Sequence, residues 1–201
     1  MSDPAKATSG PRVLCVAGSP RRGGSTDGLL DAAVEGVVSA GGMVDRLVVA
    51  GSDIAPCRGC NACSKTGACI VRDGMQQVFG RIDAADAIIV ATPVYFATVP
   101  AVLKAFYDRC QPYWARRYVL GEPRRPQRPG GLIVAGGGGD PFGDECAATT
   151  TRSVFGVLSV DLVEVLRATA DKSFDLQLSA ADLEAARRLG ERITGEAFTT
   201  L

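Results

Sequence analysis

The 201-residue chain has no histidine. Without that common acid–base side chain, ordinary His-dependent hydrolysis falls away as a reading. Neither sign of charge is in excess, since 22 basic and 22 acidic residues leave a formal net charge of zero. This argues against a nucleic-acid partner, whose phosphates demand a basic surplus. No apolar run approaches the roughly 18 residues of a membrane-crossing helix. The opening MSDPAKATSGPR is polar, with no apolar region behind it, and the expectation is a disordered tail over 1–11, a cytoplasmic chain and no membrane partner. Hydrophobic residues at 46% and charged residues at 22% are ordinary for a globular protein. The length supports one core, and a single domain over 12–201 is expected.

Strand-like and helical stretches alternate along the chain. Apolar runs at 12–18, 44–50, 86–92, 130–136 and 160–169 have the character of buried parallel strands. Between them lie helical patterns: Leu29, Leu30, Ala33, Val34, Val37 and Val38 on one face, a helix opened by Asp73 with Gln76 as its capping partner, one beginning at Pro100, and one near 144–156. A last helix is capped by Ser179 and Asp182. Five such β–α units imply an α/β protein with a parallel sheet covered by helices on both faces, and ligands beyond the carboxyl ends of the strands.

Three loops at those ends are unusual. After strand one, GSPRRGGST combines Gly18, Gly23 and Gly24, whose backbone amides can converge on an anion, with the hydroxyls of Ser19, Ser25 and Thr26 and the charge of Arg21 or Arg22. It reads as a phosphate cradle. It is neither a Walker loop nor the G-x-G-x-x-G dinucleotide fingerprint, and an ordinary glycine-rich turn is the plain alternative. After strand three, TPVYFATVP offers Tyr95 and Phe96 on a proline-stiffened loop, where core packing is the competing explanation. After strand four, AGGGGD exposes bare backbone to which a planar group can hydrogen-bond; a flexible surface turn is the alternative. A phosphate at one end and a polar ring edge at the other describe FMN.

These residues carry a resemblance. Gly18-Ser-Pro-Arg-x-Gly-x-Ser-Thr26, Thr92-Pro-Val-Tyr95 and Pro100-Ala-x-Leu-Lys-x-Phe-x-Asp-Arg109 resemble the flavodoxin-like NAD(P)H-dependent FMN reductase superfamily over roughly residues 12–170. A cysteine cluster narrows the resemblance to the iron–sulfur flavoprotein branch. It implies a flavodoxin-like doubly wound five-stranded parallel sheet. It also implies that Ser19, Arg21, Ser25 and Thr26, with Pro20 in the same loop, hold the FMN phosphate. Pro93, Val94, Tyr95 and Phe96 would line the isoalloxazine, and the backbone of Gly136, Gly137, Gly138 and Gly139 would close its other side. The family is typically cytosolic and dimeric or tetrameric, so a homodimer or homotetramer is expected.

The cluster is Cys57, Cys60, Cys63 and Cys69, spaced C-x2-C-x2-C-x5-C. Cysteines at i, i+3 and i+6 form the compact loop that wraps one face of a [4Fe–4S] cluster, and a fourth ligand comes from outside the run. Zinc is a weaker reading, because four-cysteine zinc sites usually come as two separated C-x2-C knuckles; uncoordinated thiols are the other alternative. Cys15 reads as a core residue, and Cys110 and Cys146 carry no cluster spacing.

The expected function is an FMN-dependent oxidoreductase or dehydrogenase with a [4Fe–4S] cluster, for which NAD(P)H is one conceivable reductant. A cluster-free NAD(P)H-dependent FMN or quinone reductase, or an electron carrier exchanging electrons with ferredoxin-like partners, are the alternatives. Some members of the resembling branch dehydrogenate carboxylated ring compounds such as 2-amino-4-deoxychorismate. The arginine-rich segment 115–130, with Arg116, Arg117, Arg124 and Arg125, is the candidate for reading such an anionic substrate; a solvated loop or an oligomer contact is the bland explanation.

Overall fold

The computed structural model describes residues 10–138, 142–170 and 177–200. Its elements run β1 (Arg12–Ala17), α1 (Ser25–Ser39), β2 (Met43–Val48), α2 (Cys63–Thr66), α3 (Met75–Ala84) and β3 (Ala87–Pro93). They continue with α4 (Ala101–Asp108), α5 (Gln111–Tyr118), β4 (Arg128–Gly136), α6 (Gly143–Leu158), β5 (Val160–Thr169) and α7 (Ala180–Thr200). The five strands form one parallel sheet in the order β2-β1-β3-β4-β5. This is the flavodoxin-like doubly wound order, with its switch point between β1 and β3.

Alternation along the strands divides the core in two. Leu14, Val16, Ile88, Val90, Leu132 and Val134 face the layer that includes α3, α4 and α6. Val13, Cys15, Ala17, Ile89, Ala91 and Ile133 face α1 and α7. Burial on both faces explains why β1, β3 and β4 read as continuous apolar runs rather than alternating ones, whereas the edge strands β2 and β5 carry charged, part-exposed residues. The two helices of the second layer approach closely through small residues. A Cβ on Gly36 would fall 2.0 Å from the Arg187 carbonyl oxygen, and one on Gly190 would fall 2.0 Å from that of Ala33.

The register sets Ala17, Ala91 and Ile133 side by side, so the loops after β1, β3 and β4 emerge together at one end. Three expectations need correction. Gly10 and Pro11 belong to the fold rather than to a tail: Pro11 is buried and its carbonyl accepts from Met43 N–H at 2.9 Å. Residues 1–9 lie outside the described residues. The segment 115–130 is not all loop, because α5 covers its first residues as far as Tyr118, with Pro112 in the first turn of that helix, where a missing N–H is tolerated. Asp73 does not pair with Gln76 as a capping box. Gln76 Nε2 donates to Val71 O at 2.7 Å, while the Asp73 carboxylate accepts from Met75 N–H and from a distant arginine. The box at Ser179 and Asp182 is formed reciprocally, Asp182 N–H donating to Ser179 Oγ and Ser179 N–H to Asp182 Oδ2.

Candidate functional site

The loop after β1 leaves the sheet at Gly18, whose N–H donates to Ala91 O at 2.8 Å. A Cβ there would lie 2.6 Å from Leu103 Cδ2 and 2.9 Å from that same oxygen, so α4 admits only glycine. Ser19 Oγ accepts from Arg21 N–H at 3.1 Å and tightens the turn. Gly23 takes φ +66, and α1 then begins behind Gly24, an N-cap without a side chain to cap it. Its first amides and the positive end of the helix dipole therefore face the loop. Gly23 N–H donates to Asp27 Oδ2 at 2.7 Å. Ser19 and Thr26 are buried, while Pro20 and Arg21 are exposed. Ser19, Arg21, Ser25 and Thr26 share a hollow of about 210 Å³ with Pro93, Val94 and Tyr95. An added Cβ at Gly23 or Gly24 would meet nothing within 4 Å, so the cradle is open on its ligand side. A phosphate-bearing cofactor fits it.

β3 ends in a tight turn. Tyr95 N–H donates to Thr98 O at 2.8 Å and Thr98 N–H to Tyr95 O at 3.1 Å. Phe96 and Ala97 between them adopt φ of 48° and 62°. Two positive φ values define a type I′ turn, a position that favours Asn-Gly, so Phe-Ala holds it at a cost of about 1–2 kcal/mol per residue. The Phe96 ring is fully exposed. Such strain, spent on presenting an aromatic ring, belongs to ligand clamps. On the other side of Val94 lies a second hollow of about 370 Å³, bounded by Phe96 and Gly136–Gly138. The two hollows share Val94 and Gly136 as a common wall. Together they reach the scale of cofactor sites, about 300–1,000 Å³. Gly139 lies outside the described residues. Arg167, near the carboxyl end of β5, pairs with Asp144 at the start of α6 beside this hollow. Sequence reading passed over Arg167, although its place in the last turn of strand before a ligand-bearing edge was a usable signal.

The cysteine loop forms a separate cavity of about 340 Å³ that Cys57, Cys60, Cys63 and Cys69 all line. Among the described residues no group of three or more His, Cys, Asp or Glu side chains converges as a single metal ion would require. Burial raises the Cys63 pKa, and the neighbouring Cys57, Cys69 and Cys60 raise it further. Burial pushes the thiols of Cys15 and Cys110 up to about 12, which keeps them protonated and unsuited to ligate.

Two arginines hold this loop. Arg109, at the end of α4, is 1% exposed, and its Nη1 and Nη2 grip Asp73 at 2.5 and 2.9 Å. Nη1 also donates to Ala55 O at 2.7 Å, and Asp73 Oδ2 accepts from Ala55 N–H at 2.9 Å. One buried pair therefore ties together the two ends of the segment that carries all four cysteines. The Arg109 guanidinium holds the Asp73 carboxyl below its usual range. Arg109 Nε is buried without a hydrogen-bond partner although the residue lines the cysteine cavity. That orphaned donor and four gathered sulfurs fit an acceptor-rich, anionic group such as an iron–sulfur cluster. Neither arginine role was visible in the sequence.

The second of these is Arg116, whose Nε donates to Gly67 O at 2.7 Å. Arg117 Nη1 donates to Gly156 O at 2.9 Å, and Arg125 pairs with Asp83 at 2.6 Å. With Arg124 they surround a hollow at the amino ends of β4 and β5, next to Ser159. The structure thus gathers Arg116, Arg117, Arg124 and Arg125 at the edge of the sheet opposite the glycine cradle, and within one chain they do not meet the ring hollow.

A five-stranded flavodoxin-like sheet with an open phosphate cradle at its switch point defines a flavin-binding class of protein. The model of the family described as NADPH-dependent FMN reductase matches residues 11–171. An iron-sulfur flavoprotein of Archaeoglobus fulgidus is 32% identical over 188 residues, 93% of this chain and 80% of that protein. One from Methanosarcina thermophila is 37% identical over 98 residues, 49% of this chain and 51% of that relative, so the match spans about half of its length. The chain belongs to the NADPH-dependent FMN reductase family, in its iron–sulfur flavoprotein branch. Solved structures share the fold. A flavodoxin, WrbA-like protein from Agrobacterium tumefaciens aligns with a TM-score of 0.65 at 18% identity, covering 96% of this chain and 100% of that one. An NAD(P)H:quinone oxidoreductase from Methanothermobacter marburgensis gives 0.67 at 20%, covering 92% and 96%. Among the described residues no helix is long and apolar enough to cross a membrane.

Proposed function

We propose that the protein is an iron–sulfur flavoprotein oxidoreductase that binds FMN at the strand carboxyl ends and a [4Fe–4S] cluster in the cysteine cavity. The observation that carries this reading is that all four cysteines of the C-x2-C-x2-C-x5-C run line one cavity. When bound, the flavin exchanges one or two electrons and the cluster one. Ser19, Arg21, Ser25 and Thr26, with Pro20 shaping the turn and the open end of α1, hold the phosphate. Val94, Tyr95 and Phe96 line the ring on the side of Pro93, and the backbone of Gly136, Gly137 and Gly138 faces its polar edge. Thiolates of Cys57, Cys60, Cys63 and Cys69 anchor the cluster. No side chain need act as a general base, so the absence of histidine is no obstacle. NAD(P)H supplies the electrons, or a ferredoxin-like protein supplies or takes them, and a small organic molecule is the alternative acceptor. The reading extends to a single domain that begins at Gly10 and acts in the cytoplasm as a homodimer or homotetramer.

Iron, sulfide and flavin are to be counted in protein purified without oxygen. Four irons, four sulfides and one FMN per chain are expected, the stoichiometry of one [4Fe–4S] cluster and one flavin. FMN without iron or sulfide would replace this reading with a cluster-free NAD(P)H-dependent FMN or quinone reductase, and a single zinc would replace it with a zinc-held loop.

A further inference from the structure

We propose that Arg109 sets the electron affinity of the cysteine cavity, its guanidinium facing the sulfurs and Asp73 standing behind it. The proposal deepens the iron–sulfur reading and rests on it. Of the five donors on the guanidinium, those on Nη1 and Nη2 serve Ala55 O and the two Asp73 oxygens. Nε–H is buried with no acceptor. A charged donor is seldom left so, because its desolvation goes uncompensated. Arg109 lines the cysteine cavity and Asp73 does not. A thiolate or bridging sulfide in the cavity is the acceptor chemistry that Nε–H requires.

The sign of the effect follows from the order of charges. Adding an electron makes the contents of the cavity more negative. A guanidinium 1% exposed stabilises that change more strongly than an exposed one, because little water screens it. The Asp73 carboxylate, further from the sulfurs, opposes it. Hydrogen bonds to cluster sulfurs and nearby charge are the levers that set such potentials. A residue that only held the loop closed would have no signed effect: losing either member of the pair would disturb the site in the same direction.

The full chain is purified without oxygen and loaded with iron and sulfide, and iron is counted in every variant. Each is then titrated with dithionite while the spin signal of the reduced cluster is followed. In that step one electron passes from dithionite to the cluster, and no bond to the protein forms or breaks. Arg109→Gln is expected to disfavour reduction at least tenfold, a fall of about 59 mV for a one-electron couple. Asp73→Asn is expected to favour it by a similar factor, and Arg109→Lys, which keeps the charge, to stay within tenfold of the parent. The FMN potential serves as the internal control and stays in place. Should Arg109→Gln lose its iron, the upward shift in Asp73→Asn decides alone. Unchanged cluster potentials at full iron content, or shifts of the same sign in both variants, overturn the role of Arg109. Parent protein that takes up no iron overturns the iron–sulfur reading beneath it, which is a distinguishable failure.

Discussion

The glycine cradle and the cysteine cavity are built on different principles. The cradle is a product of the fold: its amides belong to a strand end and a helix start, and the parallel register brings β1, β3 and β4 to one edge. The cysteine cavity is formed by an irregular stretch between β2 and α3 whose shape depends on two arginines from α4 and α5. The cradle rests largely on backbone, with a few hydroxyls and one arginine added; the cysteine cavity is made of side chains and depends on one buried ion pair.

Substitution of a cysteine separates the two sites most sharply. Cys63→Ser should abolish bound iron while FMN stays at one per chain, measured by metal and flavin content; iron retained in full would show the sites were assigned wrongly. Next comes the ion pair. Arg109→Met strands a buried Asp73 carboxylate and should cost about 3–5 kcal/mol, read as a shift in the urea midpoint. Arg21→Ala should weaken FMN binding by about 1.5–3 kcal/mol, the range for a hydrogen bond to a charged group, with no change in iron. A titration of stability against pH gives a smaller effect. Folding lowers the Asp73 pKa, so its contribution is complete above the unfolded value of about 3.9 and is lost as pH falls through the folded one. Asp73→Asn should flatten the acid limb of that curve. Smallest of all, Arg124→Gln with Arg125→Gln removes only exposed charge, worth about 0–1 kcal/mol, and should leave the FMN dissociation constant unchanged. A large loss there would mean that a neighbouring subunit brings these arginines to the flavin.

Much of this was legible from the sequence, for a physical reason. Strands buried on both faces must be apolar throughout, which made β1, β3 and β4 plain; the edge strands β2 and β5 were visible despite their charged, part-exposed residues. The cradle was visible because glycines and hydroxyls between a strand and a helix form a local pattern. What escaped depends on distant partners. β4 begins at Arg128, outside the apolar run, because its guanidinium is buried against the carbonyls of Ile82, Ala85 and Leu158. Asp73 meets the Met75 N–H at the start of α3, but its pairing with Arg109, 36 positions away, left no local signal. Arg116 and Arg117 looked like substrate ligands, yet α5 turns Arg116 to the Gly67 carbonyl of the cysteine loop and Arg117 to the Gly156 carbonyl of α6. The fold was written in short-range patterns; the cysteine cavity was written half in spacing and half in tertiary contacts.

The tie from Arg109 to Ala55 and Asp73 also has a chain-entropy consequence. It pins residues 18 apart, a span comparable to one that a disulfide of about 15 residues would restrict by about 3 kcal/mol. In a thiol-rich segment a covalent staple would compete with the ligands for sulfur, and an ion pair does not. A metal bound there would meet a segment already closed, so less of its binding free energy would go to ordering the chain and more would be left to retain it.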